Sequence, residues 1–128
     1  MTSRVLVVDD YPDTAETLAV ILKLSDYEVE IAGDGPAALA AVEARRPDIV
    51  ILDIELPGMD GWEVAKLIRG QSELGHIPII VLSGHGESED RQRSEDAGCD
   101  LHLVKPFDPL ELVSLLQALR RAPAELVH

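Results

Sequence analysis

Three short runs in this chain, Val5-Leu6-Val7-Val8, Ile49-Val50-Ile51-Leu52 and Ile79-Ile80-Val81-Leu82, are apolar at every position and rich in β-branched residues. A strand with one wet face alternates apolar with polar side chains. These runs do not alternate, so each reads as a strand buried on both faces, the situation of a parallel sheet covered by helices. Two further runs, Glu28-Val29-Glu30-Ile31 and Leu101-His102-Leu103-Val104, do alternate, which places them nearer the sheet edges.

Between the runs the apolar spacing changes from two to about three and a half. Segment 13–25 carries Ala15, Leu18, Ala19, Ile21, Leu22 and Leu24; segment 36–46 opens on Pro36, favoured in a first helical turn. Segment 61–70 aligns Val64, Ala65, Leu67 and Ile68, and segment 108–121 aligns Leu112, Leu115, Leu116 and Leu119. Segment 87–96 has no apolar residue, so it reads as a helix that buries little. The order is strand then helix, five times over. It predicts an α/β fold: a single doubly wound (βα)5 domain with helices on both faces of a five-stranded parallel sheet. The predicted core runs over about residues 4–121, within one domain spanning 1–128, and 122–128 reads as a tail.

With 11 Lys and Arg against 24 Asp and Glu, the net charge of −13 opposes binding to nucleic acid or to an anionic membrane surface. Cys99 is the only cysteine among 128 residues, so no internal disulfide forms and a cytoplasmic setting is expected. No apolar stretch approaches the ~20 residues of a membrane helix.

In an open α/β sheet, ligands gather outside the carboxyl ends of the strands. The first strand delivers Asp9-Asp10 there, the third Asp53, the fourth Ser83-Gly84 and the fifth Lys105-Pro106. Asp and Ser are ordinary helix caps, and a lysine at a strand end is ordinarily solvated. Such groups at four strand ends of one rim are harder to ascribe to caps and chance. Crowded carboxylates repel, and one lysine is too little positive charge to balance three of them. A hard divalent ion such as Mg²⁺ completes the balance. A carboxylate beside Mg²⁺, an ammonium and a hydroxyl is equipped to take a phosphoryl group as an aspartyl-phosphate. The histidines at 76, 85, 102 and 128 show no metal-ligand spacing, and no Ser-His-Asp set or phosphate-binding glycine loop is present.

The stretches Val5-Leu-Val-Val-Asp-Asp10, Ile51-Leu-Asp-Ile-Glu-Leu-Pro-Gly-Met-Asp-Gly61, Val81-Leu-Ser-Gly84 and Leu103-Val-Lys-Pro-Phe107 together resemble a bacterial response-regulator receiver domain, similar to the chemotaxis regulators. The resemblance implies a flavodoxin-like fold with strand order 2-1-3-4-5, and a phosphorelay role in two-component signalling. It implies that Asp53 accepts phosphate from a phosphohistidine on a sensor histidine kinase or phosphotransfer protein. Asp10, Asp53 and the backbone carbonyl of Glu55 would hold Mg²⁺, with Asp9 acting largely through water. Ser83 and Lys105 would contact the phosphoryl oxygens, Gly84 would leave the approach open, and the Lys105–Pro106 bond would be cis. A downstream protein effector, an attached output domain or a phosphorylation-dependent homodimer would read the switched surface.

Three positions depart from the usual pattern. His102 stands where the family has a Tyr or Phe that changes rotamer with Ser83. Glu55 and His85 stand two residues after the acceptor and the hydroxyl, where neighbours tune the phosphoryl lifetime. The alternative is a small Mg²⁺-dependent phosphohydrolase with an aspartyl-phosphate intermediate. Such enzymes place a second Asp two residues after the nucleophile, where this chain has Glu55, and they need an inserted cap. A scaffold that never receives phosphate would have no use for the complete acidic set.

Overall fold

In the computed structural model, which describes residues 3–71, 76–84 and 88–121, the fully apolar runs occupy the middle of a sheet. Strands β1 (Arg4–Val8), β2 (Glu28–Ala32), β3 (Ile49–Asp53), β4 (Ile79–Ser83) and β5 (Leu101–Val104) lie in the order β2-β1-β3-β4-β5. Every neighbouring pair is parallel. The two alternating runs are the edges, as their polar positions require.

Each central strand feeds two cores. Leu6, Val8, Val50, Leu52, Ile79 and Val81 face one side, where they meet helices α2 (Gly35–Arg45) and α3 (Gly61–Arg69) through Ala38, Val42, Val64, Ala65 and Ile68. Val5, Val7, Ile49, Ile51, Ile80 and Leu82 face the other, against α1 (Pro12–Leu24) and α5 (Pro109–Arg121) through Ala15, Leu18, Leu22, Leu112, Val113 and Leu116. A continuous apolar run is therefore two alternating sets superposed, one for each helical layer.

Local chemistry starts and stops the helices. Asp34 Oδ1 accepts the Ala37 N–H (2.8 Å) and Asp60 Oδ1 the Glu63 N–H (2.9 Å), capping α2 and α3. Arg46 closes α2 in the left-handed region at φ 45°. Helix α4 (Ser88–Asp96) forms where the polar segment 87–96 predicts it, although Glu87 itself falls outside the described residues. Ser94 is the one buried side chain among its described residues. The tail at 122–128 also falls outside the described residues.

Candidate functional site

Because β1, β3, β4 and β5 run parallel and in near register, their carboxyl ends share one rim. One backbone bond carries the chain past the end of each of β1, β3 and β5. The Asp9 N–H donates to the Ala32 carbonyl (3.0 Å), the Ile54 N–H to Leu82 (3.0 Å) and the Lys105 N–H to Ser83 (2.7 Å). Asp53 is in register with Leu82, so Ser83 lies one residue further along the neighbouring strand. The loop after β3 comes back tightly: a Cβ on Gly61 would sit 2.6 Å from the Asp53 carbonyl oxygen and 2.8 Å from Ile54 Cα. Only glycine lets the start of α3 press against the strand end that carries Asp53.

Asp9, Asp53 and Ser83 are buried at 4%, 4% and 2% exposure, an unusual depth for polar groups at a strand end. Lys105 Nζ donates to Asp53 Oδ2 at 2.7 Å, and the Glu55 N–H donates to Asp53 Oδ1 at 2.9 Å. The Asp53 carboxylate is thus oriented at both oxygens. Asp9 Oδ1 receives only the Tyr11 N–H, at 2.9 Å, among the bonds described for it. Burial pushes the Asp9 carboxyl above its ordinary value, and the charges of Asp53 and Asp10 push it further. The Tyr11 N–H and the Lys105 ammonium oppose this without cancelling it.

Asp10 is exposed at the mouth of the cluster, and Glu55 is exposed with its carboxylate beside β4. A Cβ on Gly84 would stand 3.7 Å from Glu55 Oε1, an ordinary contact, so the glycine leaves that side of the rim uncrowded. The Lys105–Pro106 bond is cis. His85 lies outside the described residues. His102 does not join the acidic rim: it pairs in register with Val81, and its Nδ1 lies 2.7 Å from Ser94 Oγ on α4. Ser94 Oγ also accepts the indole N–H of Trp62 at 2.9 Å. Neither Ser94 nor Trp62 stands out in the sequence, because a serine in a charged helix and a tryptophan after a cap carry no spacing signal.

The donor set is all oxygen. Among the described residues no three His, Cys, Asp or Glu side chains close on one metal position, so they form no cage of protein ligands. Mg²⁺ asks for less, using one or two carboxylates and keeping several waters. A buried Asp9 whose carboxyl resists ionisation beside two other carboxylates is what an added cation would relieve. The residues fit that ion.

The family model of the response regulator receiver domain matches residues 5–117. The DNA-binding response regulator MtrA of Mycolicibacterium smegmatis is 40% identical over 131 residues, covering 99% of this chain and 56% of that protein. The response regulator MprA of Mycobacterium tuberculosis is 40% identical over 121 residues, covering 94% of this chain and 52% of that protein. The chain thus spans just over half the length of these curated relatives. Among solved structures, the chemotaxis response regulator CheY4 of Vibrio cholerae superposes with a TM-score of 0.87 at 36% identity, covering 92% of this chain and 98% of that one. A response regulator from Chloroflexus aurantiacus gives 0.88 at 34% identity, covering 92% and 97%. These matches support a phosphoacceptor and lend nothing to the phosphohydrolase alternative. With the strand order, the acidic rim and the matches in agreement, the chain belongs to the response regulator receiver domains, the phosphoacceptor modules of two-component signalling.

Proposed function

We propose that Asp53 is the residue that accepts the phosphoryl group, from a phosphohistidine on a sensor histidine kinase or phosphotransfer protein. The observation that carries this is the 2.7 Å pairing of Lys105 Nζ with Asp53 Oδ2 at the buried end of the central strand. One carboxylate oxygen of Asp53 attacks phosphorus. A P–O bond forms as the P–N bond to imidazole breaks, and the departing nitrogen keeps the electron pair. Lys105 already touches the carboxylate and follows the negative charge onto the phosphoryl oxygens, where charge-assisted bonds are strongest. Ser83, at the end of the adjoining strand, supplies a hydroxyl to one of those oxygens.

Asp10, the Asp53 carboxylate and the Glu55 carbonyl would hold Mg²⁺, with Asp9 acting through water, and the bound ion would add positive charge at the phosphoryl oxygens. The domain promotes its own phosphorylation and dephosphorylation with these groups and turns over no separate substrate. The readout is a changed protein surface, met by a downstream effector, an attached output domain or a second phosphorylated copy. MtrA is a DNA-binding response regulator, and this chain spans about half of it, which favours an attached output domain. With a net charge of −13, the chain leaves nucleic acid to such a partner, and its receiver core spans about residues 4–121. Among the described residues no helix is long and apolar enough to cross a membrane, in keeping with a cytoplasmic relay.

Incubation with acetyl phosphate and Mg²⁺ is expected to add one phosphoryl mass, and Asp53→Asn to abolish it. Labelling of Asp53→Asn at the same stoichiometry would refute the assignment.

A further inference from the structure

We infer that Ser94 is a latch joining the His102 ring to helix α4, and that the switch opens it. The inference rests on the reading of Asp53 as phosphoacceptor. Helix α4 has no apolar residue, and Ser94, at 3% exposure, is its one buried side chain among the described residues. What that side chain touches therefore helps set how the helix is held, together with the buried Ala97 that follows it. The indole N–H of Trp62 can only donate, and it donates to Ser94 Oγ at 2.9 Å. The Ser94 hydroxyl hydrogen is then left for His102 Nδ1, 2.7 Å away. With that nitrogen as acceptor every hydrogen in the chain is used, running from α3 through α4 to β5. Arg93 caps the assembly, its guanidinium 3.8 Å from the centre of the Trp62 ring.

The other end of this chain reaches toward the phosphoacceptor. Side chains two apart on a strand share a face, and paired residues of neighbouring strands do too. His102 pairs with Val81 and Val104 with Ser83, so His102 and Ser83 lie on one face of the sheet, two positions apart. The imidazole cannot keep Nδ1 on Ser94 and also turn toward Ser83. Reorientation of the ring on phosphorylation breaks the Ser94 bond and takes from α4 one of the few contacts that dock it. In the unphosphorylated domain the bond opposes the switch.

The test titrates beryllofluoride with Mg²⁺ into the whole chain, read by emission of Trp62, its single tryptophan. Ser94→Ala removes the latch from the resting state and is expected to tighten apparent beryllofluoride affinity on the order of five-fold, the effect of one net hydrogen bond on an equilibrium. His102→Phe keeps a ring without the acceptor and gives the same gain, while the double variant gains no more than either alone. In the unaltered chain, the ¹⁵N shift of His102 Nδ1 moves from hydrogen-bonded to released when beryllofluoride saturates. That last measurement needs no variant to fold. Affinity of Ser94→Ala within two-fold of the unaltered chain, single effects that simply add, or an unmoved Nδ1 shift would each overturn the latch. If Asp53→Asn binds beryllofluoride undiminished, it is the phosphoacceptor reading that falls.

Discussion

Replacing Asp9 by Asn tests whether the rim holds more negative charge than its own residues can balance. Asp9 is 4% exposed, and its carboxyl is raised chiefly by burial, then by the anions of Asp53 and Asp10. Lys105 offsets this only in part, being paired with Asp53 at 2.7 Å. A raised carboxyl means that the folded state binds this proton more readily than the unfolded state. Lowering pH through the raised value therefore stabilises the fold, and above that value ionised Asp9 is a standing penalty. Asn removes the charge and keeps an oxygen for the Tyr11 N–H, now at 2.9 Å, although a neutral acceptor bonds more weakly. The relief of desolvation and repulsion exceeds that loss, giving a net gain of about 1 kcal/mol, the usual size for a functional site freed of its charge. For a domain of this length that raises Tm by about 4 °C. The assay is thermal unfolding at neutral pH in EDTA, repeated with saturating Mg²⁺. Magnesium should stabilise the unaltered domain more than Asp9→Asn, narrowing or reversing the order. A variant less stable than the parent in EDTA would show that the rim is not overcharged and would refute the reasoning.

Three further outcomes follow from particular contacts. Gly61→Ala pushes a methyl to 2.6 Å from the Asp53 carbonyl oxygen, so about 1–3 kcal/mol of stability is lost and the acetyl phosphate reaction slows, as read by urea unfolding and intact mass. The Cys99 thiol is pushed up to about 12, mainly by burial, with Arg69 opposing. Alkylation at pH 8 should be slower than for an ordinary thiol by roughly a thousand-fold and be restored in denaturant. Amides of α4 should exchange faster than those of α5 without a phosphoryl mimic, and equal protection of the two helices would contradict the polar docking of α4.

The strands and four of the helices were legible because burial leaves a periodic trace. Val5 and Val7 serve one core and Leu6 and Val8 the other, so the run must be apolar throughout, and no other pattern meets both demands. The rim was legible for a related reason: an apolar strand that stops at Asp9, Asp53 or Ser83 stops where the sheet ends, and parallel strands end together. The Trp62–Ser94–His102 chain was not. Periodicity finds a helix's inner face by its apolar residues, and α4 has none to find. The reading of its segment as one that buries little is right in area, but cannot show that Ser94 is the residue turned inward. The alternation in β5 does place His102 on the face opposite Leu101 and Leu103, which is as far as sequence reaches; the partner comes from another element.

The mode of attachment separates α4 from its neighbours in magnitude as well as in kind. Helix α5 buries Leu112, Val113 and Leu116, each side chain adding about 1.5–3 kcal/mol by leaving water. Helix α4 has Ser94 with two hydrogen bonds, each adding about 0.5–1.5 kcal/mol net. Arg93 on the Trp62 face adds about 0.5–1 kcal/mol for an exposed pair. The two kinds of contact also fail differently. Apolar burial is insensitive to small rotations, whereas a hydrogen bond is lost when its acceptor turns away and water takes its place. A ring rotation at His102 therefore leaves the packing of α1, α2, α3 and α5 intact while removing a large fraction of what docks α4. Helix α4 is the element this rotation reaches first, because it alone among those described has no apolar residue within its bounds and meets the apolar core only through Ala97 just beyond its end.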